Sequence, residues 1–264
     1  MKHFFLRILV WLGWIAACMG GVAQAQDNTL RATGPVTMTI AYYVEPANRI
    51  AWRQEMRDTG LRQLQAWKEQ GVFKNYRVLA NRHVDSAGWD LMTIITFGKH
   101  ADAAQWKKVE QAWPAGLSGK ALSLVKRIET TPVDLLRSNA SSDEAGNSVY
   151  LAIGYASMGS SVQYQRYADS YVVPQLEALV AAQLVRKYRL YESRYAAGAG
   201  RPWAHMALLQ YKGDEGLAAS DSALDGIRAR LSQQPAWNAM AEEAHRSGKD
   251  QPVQFVLADP FVLP

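Results

Sequence analysis

The chain has one cysteine in 264 residues, Cys18, and it lies in the first apolar stretch. If processing removes that stretch, disulfides, thiolate catalysis and cysteine-ligated metal sites are excluded together. Beyond residue 25 no apolar run approaches the roughly 20 residues of a membrane-spanning helix. Basic residues never cluster. The formal charge of +5 includes Lys2 and Arg7, and without them 27 basic face 24 acidic residues, a net +3 spread along the chain. That pattern argues against a nucleic-acid partner. His-x-x-x-His and His-x-Glu spacings, a Gly-x-Ser-x-Gly elbow and phosphate-cradling glycine loops are all missing, so zinc, serine-nucleophile and nucleotide chemistry have no support. No Cys-x-x-Cys-His is present either, which removes the usual covalent haem attachment.

What is present begins with a targeting segment. Lys2 and Arg7 precede an apolar run from Ile8 to Met19, and Ala23-Gln24-Ala25 makes a small-x-small cleavage site. Residues 1–25 therefore read as a signal peptide, and the mature protein is expected to be exported, periplasmic or secreted. Ile15-Ala16-Ala17-Cys18 also matches a lipobox, so a lipoprotein anchored at Cys18 is the alternative. Residues 26–35 are polar and aperiodic, a leader into the fold.

From Val36 the pattern alternates between strand and helix signals. Val36 to Val44 reads as a strand, and Arg49 to Gln70 as a helix with Trp52, Met56, Leu64 and Trp67 on one stripe. Tyr76 to His83 and Trp89 to Phe97 form a hairpin through Asp85, Ser86 and Gly88; Ala101 to Trp113 is helical. Val125 to Thr130 is a fourth strand, expected to stop at Thr131-Pro132. The polar stretch 139–147 reads as a linker between a first unit, 36–138, and a second, 148–264.

The second unit replays the first. Tyr76-Arg77-Val78 and Arg82 have counterparts 112 positions on, in Tyr188-Arg189-Leu190 and Arg194. Trp89, Met92, Ile94, Ile95 and Phe97 are echoed by Trp203, Met206, Leu208, Leu209 and Tyr211, and Thr131-Pro132 by Asp259-Pro260. Strands at Val149–Tyr155, 184–195 and 203–211 and a helix from Val162 to Leu184 complete the copy. Pro174 inside that helix predicts a bend or restart near Val173.

This βαββαβ order, its tandem copy, and a first helix carrying Tyr164, Tyr167, Pro174 and Leu176 resemble the dimeric α+β barrel superfamily of ferredoxin-like domains. Its members include antibiotic-biosynthesis-type monooxygenases, muconolactone-isomerase-like and ethyl-tert-butyl-ether-degradation-type proteins, and the haem-containing chlorite dismutases. The resemblance implies an α+β fold in which two ferredoxin-like units close one barrel within the chain. Activity does not follow from it, because the superfamily hosts oxygenases, isomerases, haem enzymes and proteins without known activity.

The repeated arginines Arg77, Arg82, Arg189 and Arg194, with Tyr195, are candidate ligand-binding residues, since guanidinium groups suit a carboxylate or phenolate. The plainer reading pairs them with acids such as Asp90 or Glu192 at the sheet rim. His83 aligns with Tyr195, and Leu91 with His205, so each unit has a hairpin imidazole that the other lacks. His83 and His205 are the catalytic candidates, as general bases near neutral pH. No metal and no cofactor is expected. The reading is an exported protein that binds an apolar or aromatic small molecule between its units, with transformation without a cofactor as an extension. The alternatives are a non-enzymatic envelope scaffold and a haem-binding protein with His83 or His205 as axial ligand.

Overall fold

The alternation of β-branched and aromatic residues after Val36 folds as β1 (Thr37–Val44), which is buried on both faces. The structure, a computed structural model, describes residues 36–84, 88–140, 147–156, 159–194, 203–248 and 251–263, all within the unit Pro35–Pro264. The expected signal peptide and leader, Tyr195, and Asp85 and Ser86 of the hairpin turn lie outside the described residues.

After β1 a short helical turn, Pro46–Asn48, leads into α1 (Arg49–Glu55), a π-helical turn (Met56–Gly60) and α2 (Leu61–Glu69), which run on as one helix. β2 (Asn75–Asn81) and β3 (Leu91–Thr96) follow, then α3 (His100–Ala112), α4 (Gly119–Leu124) and β4 (Val125–Ser138). The remainder is β5 (Val149–Tyr155), α5 (Ser161–Tyr167), a second π-helical turn (Ala168–Val172), α6 (Val173–Ala181), β6 (Val185–Ser193) and β7 (His205–Tyr211). α7 (Gly213–Leu231), α8 (Pro235–Ser247) and β8 (Pro252–Pro260) end the described chain.

The π-helical turns decide which side chains meet the sheet. Such a turn holds one residue more than an α-turn, so the apolar stripe steps from Trp52 and Met56 to Leu61, Leu64 and Trp67. Tyr164, Ala168, Val173, Leu176 and Leu179 repeat that spacing in the later helix. α6 does begin at Val173, as Pro174 predicts, yet the turn at Met56–Gly60 has no proline. The proline therefore suits a turn that the packing already imposes.

The eight strands close into an antiparallel barrel in the order β1-β3-β2-β8-β5-β7-β6-β4, with β4 returning to β1. Read from β4, the order is 4-1-3-2 followed by 8-5-7-6, the same arrangement twice. β4 does not stop at Thr131-Pro132 but runs to Ser138, pairing first with β1 and then with β6. The reason lies in which way Pro132 faces. Its carbonyl accepts the Arg194 N–H, so its missing N–H also points toward the end of β6 and no bond to β1 is lost.

Alternation along the strands separates three apolar clusters. On β1, Met38, Ile40, Tyr42 and Val44 face α1 and α2, while Ala41 and Tyr43 face the barrel interior. The interior is filled by side chains from every strand, including Leu79, Met92, Ile94, Val133, Tyr150, Tyr191, Met206, Leu208 and Val256, with Trp89 and Trp203 from the loops before β3 and β7. Eight strands make a barrel just wide enough for such filling. A third cluster packs the second helical layer on β5, β6 and β7 through Leu176, Leu179, Leu190, Ala207, Leu209 and Ile227. Fully buried residues such as Met56 and Leu61 each contribute about 1.5–3 kcal/mol through removal from water. Among the described residues no helix is long and apolar enough to cross a membrane.

Candidate functional site

The barrel closes at two long-range junctions of unequal length. β4 and β6 share five paired positions, whereas β2 and β8 share three: Leu79 with Pro260, Ala80 with Asp259 and Asn81 with Ala258. Beyond Pro260 the chain leaves β8, and Phe261 keeps one bond to the sheet by donating its N–H to Val78. The first residues of β2 thus stand apart from β8. A cleft of about 410 Å³ opens there, lined by α2, by Tyr76, Arg77 and Val78, by Tyr150 of β5, and by Phe261 and Val262.

Arg77 lies on the interior-facing set of β2, with Leu79. Its guanidinium carbon is 5.4 Å from the centre of the Tyr150 ring, within cation–π range. Arg189 takes the corresponding interior-facing place on β6 beside Tyr191 and is buried. Burial, with Arg77 close by, pushes Arg189 down to about 10, which leaves its charge intact at neutral pH. Lys187 is lowered for the same two reasons in the same order. Burial raises the Tyr150 hydroxyl against the opposing pull of Arg77 and Arg186. One end of the barrel therefore gathers positive charge around tyrosine rings, a surface suited to an anion with an aromatic body.

The other arginines singled out from the sequence sit elsewhere. Arg82 pairs through Nε with Asp259 at 2.7 Å and also with Asp214 of α7. Arg194 binds Asp134 of β4 through Nε at 2.9 Å and Nη2 at 2.8 Å, with Nη1 against His100. The acids seen to hold them are Asp259, Asp214 and Asp134. Asp90 instead forms a buried pair with Arg49, whose Nε is 2.8 Å away, and accepts the Val44 N–H. Glu192 accepts the Ser161 hydroxyl at 2.8 Å.

The two histidines do not share a cavity. His83 is exposed beyond the end of β2, with its carbonyl accepting from Arg49 and its N–H donating to Asn81. His205 is 3% exposed on β7 and belongs to the set of residues, Ala207 and Leu209 among them, that faces the helices rather than the interior. The Tyr164 ring stacks on it at 3.6 Å and 20°. Among the described residues, no group of three or more His, Cys, Asp or Glu side chains is arranged to hold a metal ion. Tyr150, Tyr164, Glu192 and Asp214 were not among the candidate site residues. The stripe signal that placed Tyr164 on the helix says nothing of its stacking partner, and the rest depend on pairings across the barrel.

No known protein-family profile matches the chain, and no curated protein matches it. Solved structures do. A candidate monooxygenase from Lactobacillus acidophilus superposes with a TM-score of 0.52 at 9% identity, over 87% of this chain and 95% of that one. One from Fusobacterium nucleatum gives 0.52 at 7% identity over 86% and 93%, and an anthrone oxidase-like protein 0.51 at 12% identity over 87% and 91%. At such identities the likeness is one of fold: a mixed α/β chain with a closed barrel of eight antiparallel strands.

Proposed function

We propose that the chain is an exported protein of two tandem βαββαβ units, 36–138 and 148–264, joined by 139–147, that binds an apolar or aromatic small molecule carrying an anionic group. Export is supported by the segment before residue 26, with anchorage through Cys18 as the competing form. The duplication is supported by the strand order 4-1-3-2 and 8-5-7-6 and by the matching stripes through both π-helical turns. The binding reading is carried by one observation, the Arg77 guanidinium over Tyr150 in the cleft where β2 parts from β8. The cleft lies between a strand of the first unit and a strand of the second. Its walls combine apolar residues with a few convergent polar groups, as small-molecule sites do.

The similar solved structures are described as monooxygenases and as anthrone oxidase-like, and a transformation of the bound molecule is the extension of this reading. The test uses naphthoate, with naphthol as its neutral counterpart, read by quenching of tyrosine and tryptophan fluorescence. Naphthoate binds more tightly than naphthol, and Arg77→Ala removes that preference, weakening naphthoate by about tenfold, the effect of one charge-assisted hydrogen bond. Equal binding of both compounds, or an unaltered Arg77→Ala variant, overturns it. The filled interior favours the second reading, an envelope scaffold, and that reading gains if neither compound binds. The haem reading is not favoured by an exposed His83 or by a His205 ring covered by Tyr164.

A further inference from the structure

The two halves of the barrel treat the start of their second strand differently. Around Arg189 the sheet is complete: β4 runs on past Leu135, with Arg137 opposite Leu190 and Ser138 opposite Arg189, and Arg189 is 5% exposed. Around Arg77 the chain leaves β8 at Pro260, and the cleft opens in that gap. A shared hydrogen bond matches the two places residue by residue. The Tyr76 hydroxyl donates to Gln65 at 3.2 Å and the Tyr188 hydroxyl donates to Glu177, each partner lying 11 positions back. In that register Lys68 matches Val180, and Arg57 matches Asp169.

The charges change in one direction between the two places. In the second half Asp169 pairs with Arg137 at 2.7 Å, Glu177 holds Tyr188, and Val180 packs on the third apolar cluster. In the first half the two acid positions carry Gln65 and Arg57, and the valine position carries Lys68, which is exposed and lines the cleft. Leu61, Gln65 and Lys68 stand at helical spacing and so present one face of α2 to it. Glu69 accepts from Gln65 Nε2 at 2.7 Å and lies outside the lining. The charged side chains that line the cleft, Lys68 and Arg77, are therefore both basic.

The rest of the lining is mostly apolar and partly open. Phe261 anchors the chain end, buried under the Arg57 guanidinium at 4.9 Å, while Val262 and Leu263 stay 63% and 38% exposed at the cleft. An apolar body laid against them would remove that surface from water. A ligand with one anionic group meets one of the two cations, whereas a dianion meets both.

We propose that the cleft selects dianions: apolar or aromatic molecules with one anionic group held by Arg77 and a second held by Lys68. This rests on the reading of the cleft given above and narrows it, since a ligand with a single anionic group needs Arg77 alone. The two cations have different tasks. A guanidinium offers a fixed fork that orients a carboxylate, and a lysine is a point charge on a flexible stem. Arg77 thus sets the position of the first group, and Lys68 accepts the second over a range of ligand lengths.

The test compares naphthalene dicarboxylate with naphthoate by fluorescence quenching of the full chain at low salt. The dicarboxylate binds about fivefold more tightly, the effect of one further exposed ion pair, and the gain shrinks as salt is added. Lys68→Val, which installs the residue of the matching place, removes most of the gain. Gln65→Glu returns an acid to the cleft wall and weakens both compounds, the dicarboxylate more; its carboxylate can still accept the Tyr76 hydroxyl, as Glu177 accepts that of Tyr188. Melting curves check that both variants are folded. Naphthoate bound through Arg77 with no gain for the dicarboxylate, or a gain that survives in folded Lys68→Val, overturns this inference and leaves the reading of the cleft standing. Binding of neither compound overturns both.

Discussion

Truncating Arg49 isolates a buried ion pair that holds β1, β2 and the loop before β3 together. Arg49 and Asp90 are each 6% exposed, and the Nε to Oδ1 separation is 2.8 Å. The Nη2 atom also donates to the carbonyls of Asn81 and His83 at 2.6 and 2.7 Å. Asn81 keeps a second donor, Arg53, so the groups stranded in Arg49→Ala are the Asp90 carboxylate and the His83 carbonyl. Breaking a buried pair from one side costs about 3–5 kcal/mol, and at about 2–4 °C per kcal/mol for a domain of this size the melting temperature falls by about 6–20 °C. Arg49→Met with Asp90→Asn removes both charges yet keeps an acceptor for the Val44 N–H, and it recovers most of the loss. Burial raises the Asp90 carboxyl. Its protonated form therefore favours the fold at low pH, and that contribution is lost as pH rises through the raised value. The deficit of Arg49→Ala consequently narrows on acidification. Urea titrations at neutral and acidic pH measure all three quantities. A cost under about 1 kcal/mol, or a double variant as weak as the single one, refutes the argument, because packing and not charge would then hold the site.

Two further outcomes follow from the same physics. The Glu55 carboxyl is held below its ordinary value, first by the Ser118 hydroxyl and then by Lys120. Its stabilisation is present above the ordinary carboxylate range and lost as pH falls through the lowered value, so Glu55→Gln flattens the acid limb of a melting-temperature profile between about pH 2 and 5. Pro174→Ala should leave the π-helical turn at Ala168–Val172 in place, since Met56–Gly60 forms one without proline. A shift under about 1 kcal/mol in chemical denaturation is expected, and a refolded, fully α-helical segment in a crystal structure would contradict it.

Strands and helices differ in apolar period, and seven strand positions follow from that; the eighth, at Asp259-Pro260, follows from the repeat of Thr131-Pro132. The sequence could not orient β2. Tyr76, Val78 and Ala80 alternate with Arg77, Leu79 and Asn81, and both sets contain apolar residues, so neither face announces itself. Only the pairing of β2 with β8 decides that Leu79 and Arg77 look inward. The same limit hid the partners of Arg82 and Arg194, whose acids come from α7, β8 and β4. His205 was visible as a departure between the copies; that it faces the helices rather than the interior was not. Thr131-Pro132 reads as the end of β4 because proline is a strand breaker until its neighbour on each side is known.

The unequal junctions also order events in time. The β2–β8 junction spans more of the chain than any other strand pair: Arg82 and Asp259 there are 177 positions apart. Loop closure over such a span is slow and entropically costly, so this junction should form after both half-barrels have collapsed. With three paired positions it should also open first, before either helical layer loosens. The amide proton of Arg82, which is donated to the Leu257 carbonyl across this junction, would then exchange with solvent sooner than those of Ile94 or Leu208, and the cleft that Arg77 lines would be the part of the molecule that breathes.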